Sequence, residues 1–248
     1  MISDIVTVMW KERKLLLRQH GSRTRLLFTL LVPVLVFSIF FPWQIGTDYV
    51  EGYWSLLASV FIPLLLVGTV IPESFAGERE HHTLGTLLAS RLPDRAILFG
   101  KIALTVGYAW LMTFLTLIVS LVTVNIAHWN GQIMLFTLAI ALTNVVLTLL
   151  LAVIMASLGV LISLRASTVQ GATQTLMAAV MFPLIILQVA GLIVLQMQRQ
   201  WLDSIIDTLA SANWTLVIVL VTLVLTAICL LLLWMATTRF QRARLILN

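Results

Sequence analysis

Five stretches of the chain contain no Asp, Glu, Lys or Arg: residues 26–47, 52–72, 102–164, 166–198 and 208–238. A bilayer core of ~30 Å is crossed by about 20 apolar residues in a helix. Within hydrocarbon, a helix is one of the few shapes that satisfies its own backbone. Four of the stretches hold one span each, and the 63 residues of 102–164 hold two. Asn125, His128, Trp129, Asn130, Gly131 and Gln132 divide that long stretch, since polar residues, a glycine and an interfacial tryptophan mark a turn between spans. The reading is an all-α polytopic membrane protein, a single transmembrane domain over 1–248 with six spans at about 25–43, 54–76, 101–124, 133–163, 171–197 and 214–236. With 60% apolar and 10% charged residues, against about 45–50% and about 25% in soluble domains, a water-soluble globule is excluded.

Once six spans are laid out, the loops fall on alternating sides. Fourteen of the 15 Lys and Arg residues lie on the side of the N-terminus, and Arg199 stands alone on the other with Asp48, Glu51, Asp203 and Asp207. The positive-inside rule then places both termini in the cytoplasm. The same rule accounts for a pI near 10.0, so the basic residues orient the chain in lipid and do not imply a nucleic-acid partner. The segments between spans are too short for a separate soluble domain, so any soluble partner is expected to be another chain. The first apolar run exceeds a signal-peptide core and lacks a small-residue cleavage pattern, so it is expected to remain as the first span. The single cysteine, Cys229, allows no internal disulfide and no thiolate metal cluster.

Three segments are patterned without being long enough to span. Ile5, Val8, Met9, Leu15 and Leu16 alternate with Lys11, Arg13, Lys14 and Arg18 at helical spacing, which predicts an amphipathic interfacial helix over 4–18. Trp201, Leu202, Ile205, Ile206 and Leu209 share a helical face between the fifth and sixth spans, predicting a short helix that dips into the outer interface. Between spans two and three lies the most charged connection, where Leu84, Leu87, Leu88 and Leu92 occupy one face of a helix stopped by Pro93, and Asp94 suits the first turn of the helix that follows.

That connection reads Phe75-Ala76-Gly77-Glu78-Arg79-Glu80-His81-His82-Thr83-Leu84, then Leu87-Leu88, Pro93 and Gly100-Lys101. It resembles the membrane subunits of the ABC type-2 permease family. Trp10-Lys11-Glu12 near the start and the run Thr168 to Gln174 at the head of span five are weaker likenesses. The resemblance implies a subunit of an exporter in the bacterial cytoplasmic membrane that pairs with a second permease subunit, identical or not. It also implies an ABC ATPase subunit on a separate chain, with ATP and Mg bound there and no cofactor here. Glu78, Arg79, Glu80, Thr83, Leu84, Leu87 and Leu88 would form the ATPase-coupling element, and Trp201, Leu202, Ile205 and Ile206 the outer gate. For the three charged residues the alternative is a loop whose charges merely face water.

The residues agree directly on one point: ATP is not expected to bind on this chain. No Gly-x-x-x-x-Gly-Lys-(Ser/Thr) phosphate loop is present, because Arg95 stands where Gly100-Lys101 would need its first glycine. The His81-His82 pair lacks the spacing of a metal site. Thr113, Thr116 and Ser120 on span three, with Asn144 and Thr148 on span four, form hydroxyl and amide stripes. Such stripes line a translocation path or bond a neighbouring helix. The absence of charge within spans three to six argues against ion-coupled transport and for an apolar or amphiphilic cargo. Two other readings stay open: a haem-exporter B-type subunit, from whose Asp-Gly-(Ser/Thr)-Leu-Glu pattern His82-Thr83-Leu84-Gly85 departs, and a stand-alone channel or membrane anchor.

Overall fold

Helix follows helix along the chain in the computed structural model, which describes residues 2–18, 31–83, 92–129, 131–197 and 214–240. α1 is Ile2–Arg18. α2 is Leu31–Ile45 and includes a π-helical turn at Val36–Phe40. α3 is Asp48–Glu51, α4 Leu56–Glu80, α5 Asp94–Ala127 and α6 Leu138–Ser163. α7 is Val169–Met197 and α8 Trp214–Arg239. No strand occurs among the described residues.

Among the described residues, helices α4 to α8 are the five long and apolar enough to cross a membrane, where six spans were expected. The remaining span was expected over 25–43; its described part, α2, has 15 residues, about 23 Å at the α-helical rise of ~1.5 Å per residue. Residues 19–30 lie outside the described residues, as do the outer helix expected over 201–209 and residues 84–91 of the helix expected over 78–92, whose first residues, 78–80, instead end α4. The segment 4–18, expected to be helical, is helical as part of α1.

The core is a triangle of α4, α5 and α6, with α1 lying on α5, α7 against α4, and α8 against α6. Ile62, Val67 and Ile71 of α4 meet Ile97, Leu98 and Ala109 of α5 and Ala152, Ala156 and Val160 of α6 in one buried cluster. At Gly159 the helices approach so closely that a Cβ would come within 2.7 Å of the Ile71 side chain. Pro63 and Pro72 lie inside α4, which tolerates them as membrane helices do because neighbouring groups re-satisfy the freed carbonyls. In contrast, only 6% of the apolar window of α7 and of α8 is buried, against 61% for α4.

Helix ends depart from the hydropathy reading in both directions. α4 continues to Glu80 and α5 begins at Asp94, because a backbone ladder needs no apolar side chain to continue. α6 starts late. Thr137 adopts extended backbone and its Oγ1 accepts from Ile140 N, so the helix has 26 residues instead of the expected 31. Residues 133–136 are apolar yet non-helical, held by Asn125, whose Oδ1 accepts from Met134 N and whose Nδ2 donates to Met134 O, both at 2.8 Å.

Candidate functional site

The last turn of α4 carries Glu78, Arg79 and Glu80 in succession. Consecutive helical residues point about 100° apart, so each reaches a different element. Glu78 turns towards α1 and α5: its Oε1 lies 3.0 Å from Lys101 Nζ and 3.3 Å from Lys11 Nζ. Arg79 Nη1 donates to the carbonyls of Leu164 at 3.0 Å and Ala166 at 3.4 Å, just past the end of α6. Glu80 Oε2 accepts from Val169 N at 2.8 Å, at the first residue of α7. Both of these placements match the helix dipole, with a cation at a C-terminus and an anion at an N-terminus.

The turn then stops in a defined way. His82 takes a left-handed conformation (φ 55°), Thr83 N donates to Glu78 O and His82 N to Arg79 O, which is the Schellman termination with histidine in the place glycine usually holds. Thr83 Oγ1 also donates to Glu78 O at 3.2 Å. The peptide leaving α4 at residue 83 is therefore directed by a hydrogen-bonded cap.

Around Glu78 a buried ionic set closes. Lys101 is 1% exposed; its Nζ donates to the Ser74 carbonyl, stands 3.4 Å from Glu12 Oε1 and lies 5.0 Å from the centre of the Phe75 ring. Ser74 Oγ donates to Glu12 Oε2 at 3.1 Å. Among the described residues Glu12 Oε1 has no hydrogen-bond partner and meets Lys101 and Lys11 through charge contacts. Lys11, whose side chain is 45% exposed, completes the set at the rim, 3.8 Å from Glu12. The sequence reading treated Lys11 and Lys101 as orienting charges and Glu12 as part of a motif. The signal that connects them was the pairing of two separately noted motifs, Trp10-Lys11-Glu12 and Gly100-Lys101.

The family model for ABC-2 type transporters matches residues 3–209, a range that includes all of α1 but its first residue, this ionic set and the whole connection between α4 and α5. The chain belongs to the ABC-2 type transporter family. Comparison with curated proteins gives no match. Within the ABC-2 family this chain is a multi-pass membrane permease subunit of an ABC transporter, a transport component of a kind that is generally non-catalytic. Membership implies an ABC ATPase partner and, usually, a dimeric permease.

The other expected site residues divide by location. Leu84, Leu87 and Leu88, together with Trp201, Leu202, Ile205 and Ile206, lie outside the described residues. Thr113, Thr116, Ser120, Asn144 and Thr148 are buried inside the helix bundle, each no more than 1% exposed. The first three donate to carbonyls of their own helix, Ala109, Met112 and Leu117. Asn144 joins α6 to α4, accepting from Ser59 Oγ at 2.6 Å and donating to Ser55 Oγ at 3.0 Å.

A second polar centre, at the opposite end of the core, was not anticipated. Tyr49 of α3 is wholly buried and its hydroxyl donates to the Phe37 carbonyl inside the π turn at 3.1 Å. Thr123 Oγ1 donates to the next carbonyl, Ser38, at 2.9 Å. Burial pushes the Tyr49 phenol up to about 12, a hydrogen bond with Ser120 acting the other way. Its only sequence signal was a tyrosine between two acidic residues, Asp48 and Glu51.

Proposed function

We propose that the chain is the permease half of an exporter, in which a separate ATPase subunit drives outward movement of an apolar or amphiphilic cargo across a bacterial cytoplasmic membrane. Both termini face the cytoplasm. The observation that carries this reading is the last turn of α4: its three charged residues tie the connection that follows to α1 and α5, to the end of α6 and to the start of α7. A push on residues 84–92 would therefore reach four elements of the core at once. In this reading Leu84, Leu87 and Leu88 fill a groove on the ATPase subunit, while Glu78, Arg79 and Glu80 act from the inside by holding the lever to the bundle. The ATPase subunit binds ATP and Mg.

The hydrogen bonds of Thr113, Thr116, Ser120 and Asn144 favour their packing role over direct cargo contact. The uncharged spans still support an apolar or amphiphilic cargo, with the segment of Trp201, Leu202, Ile205 and Ile206 closing the outer side. The permease is expected to act as a pair of subunits. The deciding experiment is copurification: detergent-solubilised protein should carry an ATPase subunit, and Leu84→Asp should release it while leaving membrane insertion unchanged. An ATPase-free wild-type preparation would favour a channel or anchor.

A further inference from the structure

Val8 and Glu12 lie one helical turn apart on the face of α1 that meets α5, and both are buried, at 2% and 5% exposure. Opposite them stand two adjacent residues of α5. Gly100 leaves room for Val8: a Cβ there would come within 2.7 Å of the Val8 side chain and 3.2 Å of the Ile5 carbonyl. Lys101 meets Glu12 at 3.4 Å and Glu78 at 3.0 Å. The first contact sets how close α1 can come, and the second sets its register. An apolar contact alone is non-directional and would let a helix slide or roll. A buried ion set does not, because any displacement strands two carboxylates away from water.

We propose that Gly100 and Lys101 form the seat of α1, and that Lys101 is the positioning residue that makes α1, the end of α4 and the start of α5 one rigid piece during coupling. The coupling role rests on the permease reading above; the seat does not. Glu78 is shared between Lys101 of α5 and Lys11 of α1, so the same carboxylate that ends α4 also holds α1. Movement of the connection after α4 is thus passed to the interfacial helix without a separate contact.

The test uses the full-length protein in detergent with its copurified ATPase subunit, Cys229→Ser, and a reporter Val8→Cys. A water-soluble maleimide should react slowly in this parent. Lys101→Met and Gly100→Val should each raise the labelling rate about tenfold or more, the second without touching any charge. Lys101→Arg, which keeps the cation, should stay within about threefold of the parental labelling rate. ATP hydrolysis per bound ATPase subunit should fall at least threefold in Lys101→Met and in Gly100→Val and hold in Lys101→Arg. If Lys101→Met does not yield monodisperse protein, Gly100→Val carries the same readings. Unchanged labelling in Lys101→Met and Gly100→Val overturns the seat. Exposed labelling with hydrolysis at the parental rate overturns the positioning role. A parent that carries no ATPase subunit overturns the permease reading and the coupling role with it, while the labelling arm still decides the seat.

Discussion

The two ends of the α4–α5–α6 core are joined by opposite chemistry. At the end that carries α1, the junction is ionic: Lys101, Glu12, Glu78 and Lys11 link three helices, and Arg79 and Glu80 link two more. At the other end it is neutral: Tyr49 and Thr123 donate to carbonyls of the π turn, and Asn125 fixes residue 134. Ionic contacts are directional in sign, and breaking one leaves a charge stranded at a cost of several kcal/mol. Neutral hydrogen bonds are each worth about 0.5–1.5 kcal/mol net. The first arrangement suits an element that must move as a unit, and the second suits one that can yield locally.

The comparison can be broken most severely at Lys101. Lys101→Met leaves Glu12 and Glu78 buried without their shared cation, and the expected loss is about 3–5 kcal/mol, read as a lowered unfolding midpoint in detergent. Near-wild-type stability would mean that water reaches the set and that the two ends are not so different. Asn144 belongs to the neutral end, where it ties the second turn of α6 to the start of α4: Asn144→Leu should cost about 1–2 kcal/mol, because Ser55 and Ser59 lose their partner, and the double variant with Ser59→Ala should cost less than the sum of the singles. A strictly additive result would show the two side chains to be independent.

Tyr49→Phe tests the neutral end, with an expected cost of about 1 kcal/mol for the orphaned Phe37 carbonyl. It also sharpens the contrast through pH. The Tyr49 phenol is neutral when protonated, and its folded value of about 12 lies above the ordinary 10.0. Stability from this group is therefore intact below pH 10 and declines as pH rises from 10 towards 12, by about 1.4 kcal/mol per unit. The gap between wild type and Tyr49→Phe should narrow between pH 10 and 11; a constant gap would place the phenol in contact with water. The smallest effect belongs to Lys11, whose half-exposed ammonium is worth under about 1 kcal/mol. Lys11→Met should change the midpoint little and reduce its salt dependence, measured between low and high ionic strength.

The spans were legible in the sequence because hydrocarbon demands long charge-free runs, and five of the six expected runs contain helices of spanning length. Helix ends were less legible. Nothing apolar distinguishes Ile133 to Phe136 from a helix, and only the bonds of Asn125 to Met134 show why that stretch is extended. Conversely, Gly77 to Glu80 lies beyond the expected end of the second span, yet it continues α4 to its cap at His82. The charged connection stood out in the sequence, but the ionic set did not, because Glu12 and Lys101 are brought together only by the docking of α1 on α5. The π turn left no trace in composition; its carbonyl partners, Tyr49 and Thr123, come from distant parts of the chain.

The closed ionic set has an electrical consequence. Among the described residues the set holds two ammonium and two carboxylate groups, which sum to no net charge, so if α1 moves together with the ends of α4 and α5, the displaced piece carries no gating charge from that set. Each unbalanced elementary charge crossing the full field would couple to the membrane potential by about 2.3 kcal/mol per 100 mV. With the set balanced, its movement is electrically silent, and the work of moving it is left to the contacts at its surface.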